Sequence, residues 1–257
     1  MRFKDLTLTI FAGLFAILTA SGSPAGELIE VVKSEGSVEV RQQDQQAGAD
    51  AETRSVLSTK YILVTGRDGR AVVRVGQSGY VVVERNSTIE INKSGNHANL
   101  FRQVTGMIFY AMNSIRGKLR PPIKIRTNVA IIGIRGTRFL VADLQDRKEI
   151  GVRKGSISVT SPGEEFEIHR KAQEDEFAAF KKEAQDAIDR EKREFSEYQA
   201  ENEREFIEYK REFGLAADRM ATFDGRRVTE RTLSGESKKD MESLESYAAE
   251  WIKEVRD

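Results

Sequence analysis

The chain has no cysteine and only two histidines, His97 and His169. The first absence excludes disulfides, thiol catalysis and cysteine metal sites. The second leaves almost no imidazole chemistry, since one histidine alone makes neither a metal site nor a relay. There is no H-E-x-x-H, no G-x-S-x-G and no S-x-x-K, so zincin, hydrolase-elbow and penicillin-binding signatures are missing. Prolines number four, too few for a proline-rich linker. Beyond residue 18 no apolar run is long enough to span a membrane as a helix, which needs about 20 residues. No acidic residue occurs between Glu90 and Asp143.

The one long apolar run lies at the start. Arg2 and Lys4 precede an apolar core from Leu6 to Leu18, and small residues follow. This reads as a secretory signal peptide over residues 1–25. The expectation is an exported chain, periplasmic or secreted, with no transmembrane segment after signal cleavage.

Residues 28–171 carry a succession of short β patterns. "IEVVKSEGSVEV" alternates around a glycine. Asp68-Gly69 lies between "YILVTG" and "AVVRV", and Gln77-Ser78-Gly79 between "AVVRV" and "YVVVE". Both read as hairpin turns, as do Asp146-Arg147 and Lys154-Gly155. Strands of about five residues with turns every 8–12 positions indicate an antiparallel β-sandwich or β-roll.

From Ala172 to Phe213 there is no glycine or proline. Phe177, Phe180, Phe195, Tyr198, Phe206, Tyr209 and Phe213 recur at gaps of 11 and 18, three and five helical turns. The pattern predicts a long helix over about 172–213 with an aromatic packing stripe. A second helix over about 237–255 is predicted to begin at Ser237-x-x-Asp240 and fold back as an αα-hairpin. The predicted whole is mainly β, with a charged helical extension over 172–257. That extension is a candidate coiled-coil or homo-oligomer seam.

Charge is distributed unevenly. Residues 28–171 hold 23 Lys+Arg against 15 Asp+Glu, and residues 173–213 hold 8 against 14. Arg116, Lys118, Arg120, Lys124 and Arg126 follow two-residue spacing, which puts neighbours on one strand face. With Arg135 and Arg138 they are the candidate anion- or partner-binding set. An envelope protein, an anionic envelope polymer or the chain's own acidic segment fits such a face. Export argues against nucleic acid. No cofactor or metal is expected, and no enzymatic activity. A carboxylate-pair glycan hydrolase stays open on residue type alone.

The stretch "NVAIIGIRGTRFLVAD", residues 128–143, is neither a dinucleotide fingerprint nor a P-loop. Gly133 and Gly136 suit a sharp corner where a strand leaves its sheet; a ligand-contacting loop is the other reading. Two motifs, "ILVTGRDGRAVVRVGQSGYVVVERNSTIEI" and "IRTNVAIIGIRGTRFLV … IGVRKGSISV", resemble the FecR-like domain, named after the ferric-citrate sensor regulator. On that resemblance Thr127, Ala130, Gly133, Arg135, Gly136, Thr137 and Phe139 are the signature positions. It implies an exported β domain that senses or binds without catalysis. Signal transducers of the family carry a cytoplasmic segment and a transmembrane helix ahead of the domain, where this chain carries the signal-like segment. The expected function is a binding or signalling module of the cell envelope. The alternative is a structural or assembly protein whose C-terminal helix pairs with itself or another envelope protein.

Overall fold

The computed structural model describes residues 28–45, 47–92, 100–113, 123–134, 136–170 and 206–255. The expected signal segment lies outside them. So do Arg116, Lys118, Arg120, Arg135 and the 172–205 part of the helix expected over about 172–213, with Phe177, Phe180, Phe195 and Tyr198.

Two sheets face one another. In chain order the strands are β1 (Ile29–Glu35), β2 (Val38–Gln42), β3 (Ala49–Asp50), β4 (Tyr61–Thr65), β5 (Arg70–Val75) and β6 (Gly79–Val83). Next come β7 (Thr88–Asn92), β8 (Leu100–Met112), β9 (Ile123–Arg126), β10 (Ile131–Ile134), β11 (Arg138–Asp143) and β12 (Lys148–Lys154). The last are β13 (Ser156–Thr160), β14 (Phe166–Arg170), β15 (Phe206–Lys210), β16 (Glu212–Ala216), β17 (Arg219–Asp224) and β18 (Arg227–Thr232). Sheet A runs β1-β5-β6-β8-β11-β12-β17-β18-β14-β15. Sheet B runs β3-β2-β4-β7-β8-β9-β10-β13-β16. Most pairs are antiparallel; β8–β9 and β14–β18 are parallel.

The long strand β8 belongs to both sheets. Its first half pairs with β7 and β9, its second with β6 and β11. It bends at Gly106, whose φ is +96°. A Cβ there would lie 2.4 Å from Ser87 Cα, so the close approach admits glycine alone. Buried Gln103 secures the bend. Its Nε2 donates to Gly106 O (2.9 Å) and Val141 O (3.1 Å), while Tyr110 Oη donates to its Oε1 (3.2 Å).

This roll topology corrects two turn assignments. The Gln77-Ser78-Gly79 and Asp146-Arg147 turns do join paired strands, β5–β6 and β11–β12. Asp68-Gly69 and Lys154-Gly155 instead carry the chain from one sheet to the other. β4 pairs with β2 and β7, and β5 with β1 and β6. Turn composition marks a reversal; partners far along the chain decide whether it is a hairpin or a corner.

The expected long helix is contradicted over 206–213. Those residues lie in β15 and β16, which pair with β14 and β13. The aromatic stripe is thereby dismantled. Phe213 and Leu215 are buried with period two, and Phe213 meets Phe166 edge-on at 5.7 Å. Tyr209 is 63% exposed. Ladder hydrogen bonds and burial of Phe213 override a spacing that a helix would also satisfy. Residues 206–232 thus complete the two sheets, and the core between them includes Phe213, Leu215, Phe223 and Val228.

The C-terminal helix forms as α1 (Gly235–Tyr247), followed by the single turn α2 (Ala249–Ile252). Its N-cap is Ser234, whose Oγ accepts the Ser237 N–H at 3.1 Å. Ser237 is therefore inside the first turn, three residues later than the cap. Instead of an αα-hairpin, Met241, Leu244, Ala248 and Ile252 pack on the outer face of sheet A. There they meet Val72, Tyr80, Val82, Phe109, Ala111 and Leu140. The alternating strands were apolar on both faces, as β6 shows with five buried residues in a row; the second apolar face requires this cover.

Candidate functional site

The signature residues build a corner. Thr127 is buried, and its Oγ1 accepts the N–H groups of Val129 (3.2 Å) and Ala130 (3.0 Å). This turn reverses the chain from β9 into β10, which pair directly. β10 lies in sheet B and β11 in sheet A, with Gly136 and Thr137 directly ahead of β11. Gly136 has φ +72°, and Thr137 O accepts the Met112 N–H at 2.9 Å. Phe139 then enters the core and stacks on Tyr110, centroids 5.0 Å apart and planes within 12°. Gly133 lies against β13, where a Cβ would meet Ser158 Oγ at 2.6 Å. Thr127, Ala130, Gly133, Gly136 and Phe139 are accounted for by packing or backbone geometry, while the buried Thr137 Oγ1 has no hydrogen-bond partner among the described residues.

The expected basic residues separate. Lys124 and Arg126 are exposed together on β9, on the outer face of sheet B. Arg138 is on sheet A, half-buried beneath α1, with Nη1 3.7 Å from Glu245 Oε1. It belongs to the helix attachment and faces away from Lys124 and Arg126.

Register adds two residues that sequence reading did not nominate. Arg41 pairs with Ile62, Ile62 with Glu90, Glu90 with Arg102, and Arg102 with Arg126. All five share the outer face of sheet B. Neighbouring strands are about 4.8 Å apart, so Arg41 to Arg126 spans roughly 19 Å. Arg102 Nη1 reaches Glu90 Oε2 at 3.1 Å. Among the described residues Arg41, Lys124 and Arg126 enter no ion pair. Arg102 stands directly beside Arg126, where like charges repel, and Glu90 on its other side offsets part of that repulsion. The alternation "VEVR" marks Arg41 as outward in the sequence; the row appears only once the strand order is known.

The other polar cluster faces the opposite way. Arg147 Nε donates to Glu149 Oε1 (2.8 Å), and its Nη1 to Asp240 Oδ2 (2.7 Å) and Glu236 Oε1 (3.2 Å). Ser237 Oγ donates to Glu149 Oε1 at 2.8 Å. Burial disfavours the Arg147 charge, but the Glu149 and Asp240 carboxylates outweigh it and hold its pKa above the ordinary value. A cleft of about 560 Å³ opens beside this cluster, lined by Asp146, Thr222 and Arg231 among others. Its charges are largely spent on attaching α1. Among the described residues no group of three or more His, Asp or Glu is arranged to hold a metal. None of the described helices is long and apolar enough to cross a membrane.

Residues 61–158 match the family model described as FecR protein. No curated protein matches the chain. Two crystal structures of a proposed anti-sigma factor from Parabacteroides distasonis ATCC 8503 are similar to it. They share 11% and 10% identity, with TM-scores of 0.45 and 0.44. The matches cover 72% and 69% of this chain and 64% and 62% of those. This chain therefore spans less than two thirds of their length.

Proposed function

We propose, starting from the FecR domain carried by residues 61–158, that this chain is an exported, non-enzymatic signalling or regulatory module. It acts in the cell envelope by binding an acidic protein partner through the outer face of sheet B. The observation that carries this reading is the row Arg41, Arg102 and Arg126 with Lys124 beside it. Among the described residues three of these four cations have no counter-ion, while other basic side chains, such as Arg147 and Arg153, are bound to the chain's own carboxylates. A strand face with unpaired cations suits contact with an extended anionic surface. The match of residues 61–158 to the FecR protein family supports a regulatory role, and the signal-like start supports export.

The test is a pull-down from envelope extracts with the chain from residue 26 onward. Recovery of an acidic protein by the native sequence, and its loss after Arg41, Lys124 and Arg126 are each changed to Gln, is expected. Equal recovery by both proteins would refute the basic-face reading.

The assembly alternative is favoured by a different feature, the exposed strand β15, and takes a changed form below.

A further inference from the structure

Sheet A treats its two edges differently. The β1 edge is covered by residues 54–57: Val31 N–H donates to Ser55 O (2.9 Å) and Leu57 N–H to Ile29 O (2.8 Å). Among the described residues the β15 edge has no such cover, and β14 is its one strand partner. β15 also carries Ile207 (48% exposed) and Tyr209 (63% exposed), two of four exposed large apolar side chains among the described residues. They share the outer face of the sheet, since they pair with His169 and Glu167.

An open edge is a template for another strand. Lys210 and the bend at Arg211 blunt it, yet the charge order selects one partner. In an antiparallel pair of identical strands, each position meets its mirror about the two-fold axis. Centred on Glu208, the pairing would set two carboxylates face to face. Centred on Tyr209, it sets Glu208 against Lys210 twice, Tyr209 against Tyr209, and Ile207 against the stem of Arg211. Opposite charges and aromatic pairs in these positions are attractive, and long cationic side chains cover apolar neighbours. Within one chain Lys210 Nζ already lies 2.7 Å from Glu208 Oε2, so the two groups have matching reach. A hydrogen bond from Lys210, aided by the charges of Lys210 and Arg170, holds the Glu208 carboxyl below its usual range. It is ionised at neutral pH.

We infer that a second copy of this chain docks on β15, forming a two-fold dimer that continues sheet A through antiparallel β15–β15 pairing centred on Tyr209. A single added strand buries little surface for a stable dimer, so the association is weak and concentration-dependent. The self-association expected from helix pairing is thus reassigned to a strand edge.

Sedimentation velocity on the full chain over micromolar to millimolar concentration tests this. A reversible monomer–dimer equilibrium is expected. Lys210→Glu puts carboxylates opposite Glu208 at both contacts and should weaken the dimer about tenfold or more. The double variant Glu208→Lys with Lys210→Glu restores both pairs and should recover the native dissociation constant. Circular dichroism confirms that each variant is folded. A chain that stays monomeric throughout would overturn the proposal. So would a dimer indifferent to Lys210→Glu, or one that the double variant fails to restore, because the interface would then lie elsewhere. Occupation of the edge by residues 171–205 or by another protein gives the monomeric result. The basic row on sheet B is untouched by these variants, so loss of the dimer and loss of partner binding are separable.

Discussion

The two sheets have outer faces of opposite character. That of sheet A is apolar in its middle strands and roofed by α1 and α2. Arg147, Arg138, Arg153 and Lys33 hold the roof down. Lys33 Nζ lies 3.9 Å from the Tyr247 ring centroid and donates to Tyr247 O at 3.1 Å. That of sheet B carries no helix among the described residues, and Arg41, Lys124 and Arg126 stand on it without partners. Cations paired at home contribute to stability; cations left unpaired on a stable sheet are available to a partner. On the proposed function, the difference separates what holds this protein together from what it would bind.

The contrast can be broken most forcefully at the roof. Met241 is fully buried in the apolar layer under α1. Met241→Asp would bury an unpaired carboxylate there and should cost about 4 kcal/mol or more. Urea unfolding would show this as a much lower midpoint or as an unfolded chain. Arg147→Ala should come next. It leaves Glu149, 5% exposed, without its guanidinium partner, a loss of about 3 kcal/mol. An unchanged midpoint would mean that the cluster does not anchor the helix.

A smaller effect is tied to pH. Burial first, then its hydrogen bond to Glu254, pushes the Tyr80 hydroxyl up to about 12. Burial first, then the charge of Glu35, pushes Tyr247 to about 12. A raised folded value means that the neutral phenol is favoured by folding. That stability is complete below pH 10, the unfolded value, and is lost as pH rises towards 12. Replacing both by Phe should flatten the loss of stability between pH 10 and 12, measured by denaturant titration at each pH. An unaltered alkaline slope would place the sensitivity elsewhere.

The smallest stability effect is expected on sheet B. Lys124→Ala with Arg126→Ala should change the unfolding free energy by under about 0.5 kcal/mol. A larger loss would show that these side chains support the fold, and the contrast between the faces would fail.

Much of the β architecture was legible in the sequence because its inward residues alternate. Val38 and Val40, Ile123 and Ile125, and Ile157 and Val159 all point to the core between the sheets. The change of sheet between β10 and β11 was legible because Gly133 and Gly136 sit where β10 ends. The 206–213 segment was misread because Phe206, Tyr209 and Phe213 satisfy helical spacing as well as strand use. Only the distant partner strands β13 and β14 decide between them. The covering of sheet A had a trace in the unbroken apolar run "YVVV". The row on sheet B had none, because Arg41, Arg102 and Arg126 lie 24 or more positions from one another and meet only through the register of the strands between them.

The central claim is that binding belongs to the open face of sheet B. Its most direct test is fluorescence anisotropy with a labelled poly-glutamate peptide at low and moderate salt. The native chain should bind, more weakly as salt rises. Changing Arg41, Lys124 and Arg126 to Gln should weaken binding tenfold or more, whereas changing Arg153 to Gln under the helix should leave it unaltered. Binding indifferent to the first set, or equally sensitive to both, would contradict the account.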